Sequence, residues 1–328
     1  LWPLSNDIRS KQFIKIFKTE NGDYESMVQR VYRQIRAMDE TATVTIATSK
    51  TQVSAIHNQL SENVNVCVEP TRRDTFPAIA LATAYLHDVL GVSRDDSVVV
   101  CPVDPYVNED YFAAVKRLSD MAKEGSSNLI LMGIEPTYPS EKYGYIIPGD
   151  KEEFSPVVAF KEKPDLQKAK EYLSQGALWN GGVFAYRLSY VLKKTEELIG
   201  FSDYQKLFDG YKDLNKISFD YAVVEKEPDI QVLRFGGQWK DMGTWNTLTE
   251  AMEEPSIGEV MLNESCENVH VVNELDVPVL CMGLKNMVVS ASAEGILVSD
   301  KEQSSYIKPF VDKISQQIMF AEKSWGSF

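Results

Sequence analysis

The chain has 328 residues, enough for one large domain and a smaller one, and 44% hydrophobic against 25% charged residues describe a globular protein with a substantial core. A formal net charge of −14 leaves no basic stripe for nucleic-acid phosphates or for an anionic membrane surface. No apolar run approaches membrane-spanning length, and no charged-then-apolar signal peptide opens the chain.

In chain order, Met27, Val28, Val31, Ile35 and Met38 recur at helical spacing, and "TVTIAT" (Thr43–Thr48) reads as a short strand. A helix is predicted over Val53–Leu60, a strand over "VNVCV" (Val64–Val68), and a helix over Pro77–Leu90. Pro77 would take its first position and Gly91 would close it. "SVVVC" (Ser97–Cys101) is apolar throughout, as a central parallel strand should be. A helix near Asn108–Lys123 and the strand "LILM" (Leu129–Met132) follow. This βα alternation predicts an α/β fold, with a mostly parallel sheet and helices on both faces.

After about Tyr138 the alternation loosens. "YGYIIP", "VVAFKEKP" and "NGGVFAYRL" read as strands, then come a helical run and the strand "IQVLRF". Such an insertion into an α/β core commonly carries a specific substrate site. From Ser256 short Val-rich strands joined by tight turns replace the helices. A final amphipathic helix is predicted, with Ile307, Phe310, Val311, Ile314, Ile318 and Met319 on one face. The expected domains are 1–255 and 256–328. Cys67, Cys101, Cys266 and Cys281 show no CxxC spacing and read as small buried residues in a reducing compartment, the cytoplasm.

Two carboxylates stand out by position. Asp104, in "CPVDPYV", lies just beyond the carboxyl end of an apolar strand, where open α/β sheets bind ligands. Asp241, in "QWKDMGTW", sits between a strand and a helix, with Gly243 allowing close backbone approach. Together they would suit a Mg²⁺ on phosphate oxygens, and separately each would suit a helix cap or a turn. In "FKEKPD", Lys163 could neutralise a phosphate while Glu162 accepts from hydroxyls; a solvated charge pair is the alternative. Asn180, in "WNGGVF", suits a sugar or a turn. "EPTRRDTFPAIALA" feeds a helix amino end, with Asp74 or Thr75 as cap and Arg72 and Arg73 as phosphate ligands or ordinary surface charge. His57, His87 and His270 form no paired arrangement, and GxGxxG, Walker A and Ser-His-Asp patterns are missing.

The order of these pieces carries more than any one of them. "LWPLS…KQF", "EPTRRDTFPAIALA", "PVD", "GIEPTYPSEKYGYI", "FKEKPD", "LWNGGVF", "ISFDYAVVEK" and "WKDMGTW" follow one another from Leu1 to about Met252. In this the chain resembles the bacterial mannose-1-phosphate guanylyltransferases, members of the sugar-phosphate nucleotidyltransferase family. The resemblance implies a GT-A-like, Rossmann-type catalytic domain and a small C-terminal domain like a left-handed β-helix. It implies GTP and a sugar 1-phosphate as substrates and Mg²⁺ as cofactor, and it is compatible with a homodimer. It assigns Asp104 and Asp241 to the metal, Lys11 and Lys163 to the phosphates, and Glu69, Arg73 and Thr75 to the nucleotide. Gly144, Glu162, Asn180 and Asp220 fall on the sugar side. It also places a Gly-Gly-x-Gly-x-Arg phosphate loop before Leu1 and further sequence after Phe328. Pro105, Asp74, Phe76 and Ser10 depart from the family's His, Asn, Ala and Pro, which leaves another sugar such as a heptose, another base, or a non-catalytic regulatory homologue as alternatives.

Overall fold

The apolar spacing from Met27 to Met38 does form a helix in the computed structural model, which describes residues 1–6, 8–61, 64–314, 318–319, 322–323 and 326–327. A hairpin of β1 (Lys15–Lys18) and β2 (Tyr24–Ser26) leads into this helix, α1 (Met27–Met38). Ser26 and Gln29 close a reciprocal capping box at its start, satisfying two amide donors that the first turn leaves open. Next come β3 (Thr45–Ser49), α2 (Val53–Leu60) and β4 (Asn65–Glu69), a βαβ unit whose two strands pair in parallel. Helix α3 (Thr75–Asp88) starts two residues earlier than the proline suggested, because the Asp74 carboxylate accepts from the Thr75 amide and makes Asp74 the cap. The first half closes with β5 (Ser97–Val100), β6 (Pro105–Val107), α4 (Glu109–Glu124) and β7 (Leu129–Ile134).

The insertion supplies β8 (Tyr145–Pro148), β9 (Phe154–Lys161), α5 (Leu166–Ser174) and the ten-residue β10 (Leu178–Arg187). Helices α6 (Leu188–Ile199), α7 (Tyr204–Gly210) and α8 (Phe219–Ala222) precede β11 (Ile230–Phe235), β12 (Trp239–Asp241) and α9 (Trp245–Thr249). The central sheet runs in the order β5-β10-β7-β11-β9-β8. Of its pairings only β7 with β11 is parallel; β10 runs antiparallel to β5, β7 and β8, and β9 runs antiparallel to β8 and β11. The sheet is therefore mixed, and the mostly parallel expectation is corrected. An apolar run such as Ser97–Cys101 marks a strand covered on both faces but carries no information on direction. The strands that interleave come from the insertion, as β8 and β9 do in their hairpin, rather than through right-handed helical crossovers.

All six residues of β7 are buried, and apolar clusters pack on both sides of the sheet. Helices α1 and α4 contribute Val31, Phe112 and Leu118 to one cluster, while Phe76 of α3 and Phe219 of α8 join the other. The β3–β4 pair stands apart from the six-stranded sheet across a groove of about 720 Å³, lined among others by Ile46, Ile79, Val98 and Val100.

Beyond α9 the texture changes. The strands β13 (Ser256–Ile257), β15 (His270–Asn273) and β17 (Met287–Ser292) form one parallel ladder. A second joins β14 (Val260–Leu262) and β16 (Val279–Cys281), so successive turns stack as a short solenoid. Antiparallel β18 (Gly295–Asp300) closes the first ladder. The tail is tied to the chain's first residues: Ser292 Oγ donates to the Pro3 carbonyl at 2.8 Å, and Asn6 Nδ2 to Glu294 Oε1 at 2.8 Å. From the other side Trp245 Nε1 reaches the Trp2 carbonyl at 3.0 Å.

The terminal amphipathic helix is corrected to a single turn, α10 (Lys308–Val311). Ile318 and Met319 lie outside any helix, residues 315–317 lie outside the described ones, and Phe310 is 68% exposed. Of that apolar face Ile307 packs against the core, while Phe310 and Ile314 are exposed. Among the described residues no helix is long and apolar enough to cross a membrane, and all four cysteines are free.

Candidate active site

Two structural features bring the chemistry-bearing residues together at one end of the central sheet. The first is a ribbon formed by β6 and β12, whose register sets Asp241 opposite Pro105, the residue that follows Asp104. Two segments far apart in the chain, each carrying one of the carboxylates, are joined through this one pairing. Lys11, in a 3-10 turn spanning Lys11–Phe13, places its Nζ 3.2 Å from Asp104 Oδ2. The Asp241 carboxylate lies over Gly243, where an added Cβ would come 3.3 Å from Oδ2. Among the described residues no group of three or more metal-capable side chains gathers. A pair of oxygen-only donors matches the habit of Mg²⁺, which takes one or two protein carboxylates and completes its shell with substrate phosphates and water.

The second feature is a polar cluster on the strands of the insertion. Lys163 Nζ donates to Glu162 Oε1 at 2.7 Å; the Glu162 side chain is only 9% exposed while that of Lys163 is 60% exposed. This hydrogen bond, together with the neighbouring carboxylates, holds the Lys163 ammonium firmly protonated, with its pKa above the ordinary lysine value. Lys163 adopts φ +42° directly before Pro164, an uncommon backbone state for a side chain of this length. Glu162 also explains Gly144, since a Cβ there would fall 2.5 Å from Glu162 Oε2 and 3.3 Å from the Asn180 Cβ. Asn180 lies in β10, where its amide nitrogen donates to Asp220 Oδ1 at 2.7 Å and its oxygen accepts from the Gly182 amide at 3.1 Å. Burial, and then repulsion from Glu162, push the Asp220 carboxyl up to about 6. Gly144, Glu162, Lys163, Asn180 and Asp220 thus form one contiguous patch.

Glu69, Arg73 and Thr75, the residues expected to face a nucleotide, are arranged differently. Glu69 Oε2 accepts from the Tyr211 hydroxyl at 2.7 Å, and burial raises its carboxyl pKa. Arg73 donates through Nη2 to the Lys212 carbonyl. Thr75 Oγ1 accepts from the Phe219 amide at 2.8 Å, and the Phe76 amide donates to the Ile217 carbonyl at 3.1 Å. Asp74 sits at φ +69°, ψ −178°, a backbone region that glycine tolerates and other residues enter only under strain. These side chains are occupied in bracing their own loop against residues 211–219.

Sequence reasoning passed over an aromatic cluster in which Tyr143 and Trp239 pack, half-buried, against the buried Trp179. Tyr143 lies 4.8 Å from Trp179 and 5.5 Å from Trp239, ring centre to ring centre, and Tyr138 lies 4.9 Å from Trp179. Burial holds the Tyr143 phenol neutral, and the nearby Asp241 charge acts in the same direction. Isolated aromatics carry no local signal that separates a cleft wall from a core. Tyr211, which holds Glu69, was missed for the same reason.

The departures from the family pattern are taken up by packing. Phe76 is 4% exposed, with its ring centre 6.5 Å from that of Phe219; Asp74 spends its carboxylate on the Thr75 amide; Ser10 accepts from Gln52 Nε2. Pro105 stands in the β6–β12 ladder opposite Asp241.

The family model described as Nucleotidyl transferase matches residues 1–256. The Xanthan biosynthesis protein XanB of Xanthomonas campestris pv. campestris (strain B100) is 29% identical over 343 residues, which span 96% of this chain and 70% of that protein. A mannose-1-phosphate guanylyltransferase of Klebsiella pneumoniae is 27% identical over 350 residues, spanning 96% of this chain and 71% of its own length. Among solved structures, that of a mannose-1-phosphate geranyltransferase from Thermus thermophilus superposes with a TM-score of 0.76 at 26% identity, covering 95% of both chains.

Proposed function

This chain belongs to the nucleotidyl transferase family, and we propose that it transfers GMP from GTP to α-D-mannose 1-phosphate, giving GDP-mannose and pyrophosphate. The observation that carries the reading is the convergence of Gly144, Glu162, Lys163, Asn180 and Asp220 into one polar patch beside the Asp104–Asp241 ribbon. A phosphate-sized charge seated by Lys163 would leave the sugar hydroxyls facing Glu162 and Asn180. The names of the relatives, mannose-1-phosphate guanylyltransferase among them, support the same choice of substrates.

In the proposed step an oxygen of the sugar 1-phosphate attacks the α-phosphorus of GTP in line. A new P–O bond forms as the bond to the β-phosphate breaks, and pyrophosphate carries away the electron pair. No covalent intermediate with the protein is needed, so positioning and charge neutralisation do the catalysis. Lys163 orients the attacking phosphate and shields its charge. Lys11, already paired with Asp104, turns its ammonium toward the triphosphate. Asp104 and Asp241 are the residues that would hold a Mg²⁺, which supplies further neutralisation of phosphate charge when bound. Tyr143, Trp179 and Trp239 exclude water from one side of the cleft and so strengthen the charged contacts inside it.

Because Phe76 is buried and Asp74 is spent within its own loop, the departures at these positions leave the mannose and guanine reading in place. A cytoplasmic setting, a left-handed sense for the tail's solenoid and a homodimer belong to the same proposal. Pyrophosphate release from a panel of nucleoside triphosphates and sugar 1-phosphates tests it. GTP with mannose 1-phosphate should give the highest kcat/KM. A preference of about tenfold or more for another pair, equivalent to about 1.4 kcal/mol, would replace the assignment.

A further inference from the structure

Asp220 is half-buried beside Asn180. It belongs to α8, whose preceding residue, Phe219, is fully buried against Phe184, with ring centres 4.9 Å apart. The Phe219 amide is fixed on Thr75 Oγ1 at 2.8 Å, and the Ile217 carbonyl accepts from the Phe76 amide at 3.1 Å. The Asp220 backbone is therefore clamped to the start of α3, and its carboxylate meets Asn180 Nδ2 at 2.7 Å.

We propose that Asp220 is a positioning residue that fixes the orientation of the Asn180 side-chain amide and so sets which hydrogen-bonding group Asn180 offers to the sugar. The inference rests on the sugar-side reading given above. An amide can rotate by half a turn and exchange its nitrogen and oxygen at little steric cost. Two constraints block that rotation here. The Gly182 amide requires the oxygen on one side, and the Asp220 carboxylate, acceptor only while ionised, requires the nitrogen on the other. What remains for a ligand is one N–H and one lone pair in fixed directions. Protonation of Asp220 turns an acceptor into a group that can also donate, and the second constraint is lost.

The groups facing Asp220 give this a pH range. Glu162 from the end of β9 opposes its ionisation, Lys163 favours it, and Tyr221 adjoins both it and Lys163. With the carboxyl pushed up to about 6 by burial and Glu162, the clamp is complete above that pH and released below it. Thr75 adds a second consequence. The hydroxyl that holds the Phe219 amide belongs to the nucleotide-side loop, so the orientation of a sugar-side group depends on a contact made across the cleft.

The test compares Asp220→Asn and Asp220→Ala with wild type in the full chain. KM and kcat are measured for mannose 1-phosphate and GTP from about pH 5 to about pH 8. In wild type the KM for the sugar phosphate should rise severalfold below about pH 6 while the KM for GTP stays level. Asp220→Asn can donate as well as accept, as the protonated carboxyl can, and it cannot titrate, so it should raise the sugar-phosphate KM severalfold near pH 8 and abolish the further acid rise. Asp220→Ala should raise that KM about tenfold at every pH with kcat and the GTP KM little changed. A residue that merely supports the fold would leave the pH profile intact or move both KM values together, and either result overturns the proposal. If wild type uses no sugar 1-phosphate, the functional reading falls by itself. The Asn180 side-chain amide signal in ¹⁵N spectra then decides the positioning role. A shift through about pH 6 that Asp220→Asn removes upholds it, and a signal indifferent to both pH and the substitution overturns it.

Discussion

The two sides of the site as proposed, one for the sugar phosphate and one for the nucleotide, are built on different plans. On the sugar side, Glu162, Lys163, Asn180 and Asp220 make their hydrogen bonds to one another, and Gly144 leaves the space they need. On the nucleotide side, Glu69, Arg73 and Thr75 make theirs to Tyr211, Lys212 and Phe219, outside their own group. The sugar side is thus a preformed polar surface whose side chains still have donors and acceptors to offer. The nucleotide side is a braced loop in which side-chain capacity has gone into holding shape, including the strained Asp74. A preformed patch should be sensitive to substitution in substrate affinity, while a braced loop should be sensitive in stability as well.

Lys163→Ala is the larger of two ways to sharpen this contrast. It removes a charge-assisted contact of about 1.5–3 kcal/mol, so KM for the sugar 1-phosphate should rise about 10- to 100-fold. KM for GTP should stay within about twofold and the melting temperature should not move. Equal loss for both substrates would break the division of the cleft into two sides.

Tyr211→Phe acts on the other side and should do less. It deletes the hydroxyl that donates to Glu69 at 2.7 Å, leaving a half-buried carboxylate short of a partner. A destabilisation of about 1 kcal/mol is expected, with KM for GTP raised a fewfold and KM for the sugar 1-phosphate unchanged. Thermal unfolding beside initial-rate kinetics checks both halves. An affinity loss with no loss of stability would make Glu69 a ligand rather than a brace.

Legibility in the sequence followed the same contrast. Helices with a strong apolar period, α1 and α2 among them, lie where Met27–Met38 and Val53–Leu60 predict them. The strands of the central sheet were legible too, while β6 and β12 were not, and strand directions stayed hidden because β10 enters the sheet from an insertion and its buried face reads alike in either orientation. The terminal helix failed for a related reason. Periodicity shows that a helix would be amphipathic, not that a surface exists to receive Phe310 or Ile314, and both are exposed. Individual site residues such as Asp104, Lys163 and Asn180 stood out because a charged or amide side chain at a strand end, followed by a proline or a glycine, is a local pattern. The link between Asn180 and Asp220 was invisible, since the two lie 40 positions apart on different elements and only the packed Phe219 brings them together. The aromatic cluster was missed because ring clusters are properties of tertiary packing.

Between the two sides lies the seam where transfer would occur, and one measurement there tests the account most directly. Single-turnover pyrophosphate release by Asp104→Asn and Asp241→Asn, at saturating GTP and mannose 1-phosphate, reads the chemistry free of affinity. Each substitution should slow the step by a factor on the order of 100 to 1,000, or about 3–4 kcal/mol in the transition state, with the melting temperature close to that of wild type. Release at a near-normal rate in either variant would contradict the claim that the β6–β12 ribbon brings these two carboxylates together for phosphoryl chemistry.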